Sequence, residues 1–441
     1  KKSMQKIVFI LILFYSTSTF AQKVDIMLTL DDAINYAIEH SPTLNIERIK
    51  LNEANISIKE SQLQYIPNIY LTSDVRQNLI IPATPVPANV FDPSAQEGEL
   101  MYLKFNTKWN SSAGVNLNYD LFNPEMLNSV AEQQHQLKIQ EYDAQLSEEE
   151  LREKVALAYA ECVIANEQQQ LLKGDTAYYA SLLSNANTLY LKEQISLSQK
   201  NDAHRAFNKS LTDFLEAEKI VDDRKAELLY LIGMDVTTDK IESLILQEDI
   251  QTLLQKIKQK AQSDYSDLEE ARQLEVVDLA ALRIRSASLK YAPTLTLNGY
   301  YGTNYYNNEF SLFNNDYWRG NSYIGLSLKV PITQSINTAK DVSRLRLRKM
   351  IESENLREIR NNRNKKRLKE LTLLRVRKEN YQLNQQNWEM SQQNSLALQM
   401  QFDKGYIQQS DLLNEQQKIK QSRHLFLQSA YDLLCSLITM K

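Results

Sequence analysis

The chain has 441 residues, of which only nine are glycine and nine proline. Charged residues make up 24% with a formal net charge of −4, and the mean hydropathy is −0.46. Such a chain cannot be a bundle of spanning helices, because no internal run reaches the roughly 18 apolar residues one needs. About 2% glycine against an average near 7% also argues against a turn-rich fold and for long elements.

At the N-terminus, Lys1, Lys2 and Lys6 form a basic start. The apolar run from Ile7 to Tyr15 follows, and small and polar residues then lead to Thr19-Phe20-Ala21. This is the pattern of a secretory signal spanning residues 1–21, with cleavage after Ala21. Cleavage removes three lysines and takes the formal charge from −4 to −7. Thr29, with Asp32 three residues on, then predicts a capped helix start.

Residues 67–75 alternate Ile69, Leu71 and Val75 with Asn68, Thr72 and Asp74, as a strand with one apolar face does. A proline-rich loop within 76–112 separates it from a second alternating stretch at 113–122, where Val115, Leu117, Tyr119 and Leu121 share a face. From Glu125 to Ala292 there is no proline. Residues 125–232 are rich in helix formers, and Leu146, Leu151, Val155, Ala158 and Cys162 recur at helical spacing. Alternation returns at 293–301 and 322–330, across a loop at 302–321. The stretch from Ile332 to Lys441 again has no proline, and 334–400 reads as a second very long helix. A helix of some 65 residues would extend roughly 100 Å, so these are coiled coils.

Each alternating stretch has about the 9–11 residues of a membrane strand. Aromatic residues gather at their ends: Tyr70, Trp109, Tyr119, Phe122, Tyr300, Tyr301, Trp318 and Tyr323. A half-buried soluble sheet shows the same alternation, so the strands alone leave both readings open. Of the two cysteines, Cys162 and Cys435, both sit in apolar helical sequence and read as free buried thiols.

The chain also repeats itself. Leu44 opens a helix that ends at Tyr65-Ile66-Pro67, and Leu268 opens one that ends at Tyr291-Ala292-Pro293. Residues 190–198 match 402–410 at an offset of 212, sharing Lys192/Lys404, Ile195/Ile407 and Ser198/Ser410. Each copy reads helix, strand, long loop, strand, long helix, turn, helix.

Four pieces in this order resemble the TolC-like outer-membrane efflux family. They are LTLDDAINYAIEHSPTL at 28–44, QYIPNIYLTS at 64–73, KYAPTLTLNG at 290–299 and FDKGYIQQSDLLNEQQ at 402–417. The resemblance covers nearly all of 22–441. It implies a mainly α fold with long antiparallel coiled coils and four membrane strands per protomer. Three protomers would close one twelve-stranded β-barrel above a helical tunnel. It places repeat one at about 29–232, an equatorial segment at about 233–262 and repeat two at about 263–441.

Function follows from the same resemblance: a passive exit duct for tripartite efflux or type I secretion. The homotrimer would sit in outer-membrane lipid with its tunnel in the periplasm, coupled to a periplasmic adaptor and an inner-membrane transporter. The family's constriction carboxylates map to Asp411 and to Asn414, where the family often has Asp. The first copy has Gln199 and Asp202 at these positions. The adaptor-docking turn maps to Gly405, Tyr406, Ile407 and Ser410, with Ile195 and Ser198 in the first copy. There, Glu193 and Gln194 stand where a glycine is usual.

Residues 344–378 carry fourteen Lys/Arg and four acids, whereas 141–167 carry eight acids and two bases. The basic run has no interleaved aromatics, and the mature chain is acidic, so a nucleic-acid partner is not expected. A solvated helix face, paired with the acidic helix or lining the lumen, is the reading kept. None of the nucleotide-binding, zinc-hydrolase or nucleophile-elbow motifs occurs. His40, His135, His204 and His424 lack ligand spacing, so no enzyme, cofactor or metal is expected. The alternative reading is a secreted coiled-coil scaffold or adhesin without channel activity.

Overall fold

The computed structural model describes residues 25–260, 267–332, 334–407 and 409–440. The expected signal at 1–21 lies outside them. The described residues fall into two compact units, 25–48 with 143–269 and 359–440, and 49–142 with 270–358.

The first unit begins with β1 (Ile26–Leu28) and α1 (Leu30–His40). The expected start of α1 is present: Asp32 N–H donates to Thr29 Oγ1 at 3.2 Å, and Thr29 N–H donates to Asp32 Oδ2 at 3.3 Å. This capping box satisfies two donors that a helix start would otherwise leave bare. Most of the unit comes from α3 (Ser129–Leu191), α4 (Leu197–Leu231), α8 (Gln334–Asp403) and α9 (Gln409–Thr439). Of these, α3 and α8 run to 63 and 70 residues, as their proline-free composition predicts.

Inside this unit the α3 face read from sequence is buried: Leu151, Val155, Ala158 and Cys162 pack with Leu228 and Leu229 of α4 and Leu433 and Leu434 of α9. The expected equatorial segment contains α5 (Thr238–Ser243), β6 (Leu244–Leu246) and α6 (Ile250–Lys260). Its short strand β6 pairs in parallel with β1, so the N-terminal segment just ahead of α1 joins it.

Glu248, just after β6, is almost wholly buried. Its carboxylate accepts the Leu30 N–H at 2.9 Å, the Tyr159 hydroxyl, and Lys256 Nζ at 2.7 Å. Lys256 also reaches Asp31 at 2.9 Å. One carboxylate thus ties α1, α3 and α6 together, and the first amide of α1 lends it partial positive charge.

Both cysteines are free, with Cys162 buried and Cys435 half-buried. Burial pushes the Cys162 thiol up to about 12, so almost none is thiolate near neutrality. Maleimide at neutral pH is therefore expected to leave Cys162 unmodified in the folded protein and to label it once denaturant is added. Mass spectrometry of the modified peptide checks this, and labelling of the native chain at a free-thiol rate would contradict the assigned burial.

The second unit holds a four-stranded antiparallel sheet: β2 (Asn68–Gln77), β5 (Trp109–Phe122), β7 (Thr294–Asn307) and β8 (Trp318–Lys329), in that spatial order. All four predicted strands are present, each of them longer than expected. β5 starts at Trp109 and β7 runs on to Asn307 because 109–114 pair with 302–307. The loop read at 76–112 contains a small hairpin, β3 (Thr84–Pro87) with β4 (Leu100–Leu103). The remaining helices, α2 (Pro42–Leu63) and α7 (Leu268–Leu289), run toward β2 and β7, the proline at α2's first position being compatible with a helix start. Among the described residues, no helix is long and apolar enough to cross a membrane.

Candidate functional site

Two places carry the chemistry, one in each unit. The first is the sheet. Its register sets Ile69 opposite Leu117, Leu71 opposite Val115, Leu297 opposite Tyr119 and Leu326, and Leu295 opposite Leu328. These residues, with Val75, Phe122 and Ile324, all point to one side. The other side carries Asn68, Thr72 and Asp74 from β2, Ser112, Asn116 and Asn118 from β5, Thr296 and Asn298 from β7, and Asn321 and Ser327 from β8. Asn116 donates to Thr72 Oγ1 at 2.8 Å, Thr296 donates to Asp120 at 2.9 Å, and Ser112 donates to Asp74, so this polar side is knitted across strands.

Exposure decides what the apolar side is for. Leu71 is 74% and Leu326 67% exposed. A soluble sheet turns its apolar face to a core, whereas here the polar face is cross-linked and the apolar face is bare. Both edges are open as well: β2 pairs only with β5, and β8 only with β7, among the described residues. An apolar belt on strands of this length fits hydrocarbon, and open edges do not.

The second place is the pair of helical turns in the other unit. α3 ends in a turn where Glu193 N–H donates to Tyr190 O at 2.9 Å and Gln194 N–H to Leu189 O at 2.9 Å. α8 ends the same way, with Gly405 N–H on Phe402 O at 2.8 Å and Tyr406 N–H on Gln401 O at 2.9 Å. Each partner differs from its counterpart by 212, the offset read from sequence. The pattern needs a left-handed residue, which is Gly405 at φ 76° in one turn and Glu193 at φ 56° in the other. Glutamate there carries strain of order 1–2 kcal/mol, while glycine would add about 0.4–1 kcal/mol of unfolded-chain entropy. Glu193→Gly is therefore expected to stabilise the protein by about 0.5–1 kcal/mol. A melting temperature at or below that of the native chain would contradict the strain.

Around these turns, the structure brings three of the four expected constriction residues together. Gln199, Asp202 and Asn414 line one pocket of about 320 Å³ with Tyr179, Lys209 and Lys420. Gln199 also completes the cap of α4: its carbonyl accepts the Ser196 N–H at 2.8 Å, and its own N–H donates to Ser196 Oγ. Asp202 pairs with Arg205 one turn on. Lys420 lies 5.1 Å over the Tyr179 ring and pairs with Asp213 at 3.4 Å. Asp411 and Ser410 have helical backbone at the start of α9, and their side chains lie outside the described residues.

Of the expected docking residues, Tyr406 and Ser198 are exposed. Ile407 is half-buried against the cluster of Tyr179, Leu182 and Leu412, and Ile195 is half-buried too. Ile407 thus holds its turn while Tyr406 beside it faces outward. In the basic run, Arg363 pairs with Asp267, Arg377 donates to Asp432 O at 2.9 Å and Ser436 Oγ at 2.6 Å, and Lys366 pairs with Glu370. Part of that charge therefore braces α8 within its own unit.

Comparison with known proteins points one way. Residues 33–234 match the family described as outer membrane efflux protein. Among curated proteins, none matches the chain significantly by sequence. Solved structures do match in fold. The CmeC outer membrane channel of Campylobacter jejuni is 15% identical with a TM-score of 0.71, over 93% of this chain and 84% of that one. The outer membrane protein VceC of Vibrio cholerae is 15% identical with a TM-score of 0.69, over 93% and 95%. The open state of the MtrE outer membrane channel of Neisseria gonorrhoeae is 13% identical with a TM-score of 0.71, over 93% and 87%.

Proposed function

We propose, for a chain whose residues 33–234 match the outer membrane efflux protein family and whose fold is that of outer-membrane efflux channels, a passive exit duct closed by three copies. The observation that carries this is the sheet: an uncovered apolar face, a cross-linked polar face and two open edges. In lipid an open edge leaves backbone groups unsatisfied at several kcal/mol each. Joining β8 of one copy to β2 of the next satisfies both edges, and three copies give twelve strands. The polar face then lines a bore, and the long helices continue it as a tunnel on the periplasmic side. The matching hydrogen bonds at 189–194 and 401–406 support a duplicated chain, with copies at about 29–232 and 263–441 around the segment at 233–262.

Within this reading the chain does no chemistry of its own. A periplasmic adaptor docks at the turns around Gly405, Tyr406, Ile407 and Ser410, and Ile195 and Ser198, and an inner-membrane transporter supplies the energy. Asp202 and Asp411, with Gln199 and Asn414, form the narrowest ring. Rings of carboxylates favour cations, and the Asp202–Arg205 pair reduces the field of the first.

Planar-bilayer conductance of protein purified from outer membranes tests this. Discrete channels are expected. An Asp202→Asn/Asp411→Asn double variant is expected to lose most of its preference for potassium over chloride. Channels with unchanged selectivity would keep the duct and remove these residues from the constriction. Protein recovered only in the soluble fraction would overturn the duct.

A further inference from the structure

Register places Tyr70 opposite Asn116, Asn116 opposite Tyr300, and Tyr300 opposite Tyr323. One cross-strand row on the polar face therefore reads Tyr, Asn, Tyr, Tyr. Tyr70 and Tyr323 are 45% and 59% exposed. Tyr300 lies against the sheet instead of standing off it. A Cβ on Gly114 would come within 2.7 Å of the Tyr300 ring, and one on Gly302 within 2.5 Å of its hydroxyl. Gly114 and Gly302 are register partners, so together they make a recess in the wall that this ring occupies. The Tyr323 ring stacks beside it, centroids 6.0 Å apart and planes 25° apart. Asn116 is fixed by its bond to Thr72.

The rows on either side carry no charge. One is Thr72, Gly114, Gly302 and Asn321; the other is Asn68, Asn118, Asn298 and Gly325. What the wall offers in this row is ring surface, with the Tyr300 ring laid against the sheet and no ion pair to compete for it. Aromatic faces bind planar π-systems by offset stacking, and cationic ones more strongly.

We propose that this row is a stacking site for planar aromatic solutes in the exit bore. It rests on three-copy closure, which turns three tyrosines per copy into a collar of nine. The Tyr300 rings lie along the wall and leave the bore open, so the collar slows aromatic cargo without plugging the channel.

The test is single-channel recording with ethidium as the probe, on native protein and two double variants. Transient blocks are expected in the native channel. Tyr70→Leu/Tyr323→Leu, both at exposed positions, is expected to shorten the mean block about ten-fold at unchanged unitary conductance. Tyr70→Phe/Tyr323→Phe, which keeps the rings, is expected to block like the native channel. Equal blocking of the leucine variant and the native channel would overturn the site while leaving the duct standing. So would native channels that ethidium never blocks. Loss of blocking in the phenylalanine variant would assign recognition to hydroxyls and overturn stacking. Absence of any native channel would overturn the three-copy reading, and this proposal with it.

Discussion

Leu326→Arg is expected to abolish outer-membrane assembly, whereas Ser327→Arg, one residue along the same strand, is expected to permit it. Leu326 is the middle of three exposed apolar residues on β8, between Ile324 and Leu328, and lies across from Leu297. In the proposed assembly that puts it near the bilayer midplane. Arginine there costs about 2–4 kcal/mol per copy, and three copies bring the total to roughly 6–12 kcal/mol. That is comparable to the whole stability of many domains. Ser327 points to the opposite side, where Asn298, Thr296 and Asp120 already hold polar company, so a new guanidinium stays in water. The measurement is the yield of gel-resistant trimer in the outer-membrane fraction. Equal trimer yield from the two variants would mean that the sheet does not face lipid.

Glu248→Ala is expected to cost about 2–3 kcal/mol of stability. Breaking a buried charge pair usually costs about 3–5 kcal/mol, but two of the three partners have somewhere else to go. Lys256 retains Asp31, and the Tyr159 hydroxyl retains Leu28 O at 3.0 Å. The Leu30 N–H, at the head of α1, is left bare. Glu248→Gln keeps an acceptor and is expected to cost about 1 kcal/mol. Thermal melting followed by circular dichroism ranks the three proteins, and a glutamine variant as damaged as the alanine one would contradict the hydrogen-bond account.

The same cluster sets an alkaline limit. Hydrogen bonds to Glu248 and Asp31 raise Lys256 above its ordinary 10.5. Burial, then the bond to Glu248, raises the Tyr159 phenol above its ordinary 10.0. Both groups are held more firmly in their protonated forms when folded. Their contribution is complete below the ordinary values and is lost as pH rises past them. Melting temperature is therefore expected to fall above about pH 10, and to fall less in Glu248→Gln.

The legible parts of the fold share a reason. Strand alternation needs only a period of two, and Val115, Leu117, Tyr119 and Leu121 display it without any partner. The helix lengths could be read from where proline is absent. The hairpin of β3 and β4 could not, because Pro85 and Pro87 argue against a strand, and they survive here in a small two-stranded sheet. β1 is three residues long and its partner lies over 200 residues away, beyond any local pattern. Glu193 hid the first turn's left-handed residue, since glycine is the usual sign of one. The tyrosine row escaped notice for a different reason. Tyr70, Tyr300 and Tyr323 look alike in sequence to any aromatic near a strand end. Only register, carried from Tyr70 through Asn116 to Tyr300 and on to Tyr323, puts them on one line.

The bare apolar face and open edges of the sheet also bear on the life of the chain before assembly. In the proposed assembly, a copy not yet joined to two others carries a ready template for any strand that meets it. The helical unit has a core of its own, so the two halves need not mature together. In the proposed assembly, closure is a matter of mass action: while single copies predominate, the amount of finished barrel rises with the third power of their concentration. Modest underexpression would therefore cost far more than its share of finished channels. The surplus of unpaired chains would fall to whatever holdases and proteases the periplasm keeps for orphaned strands.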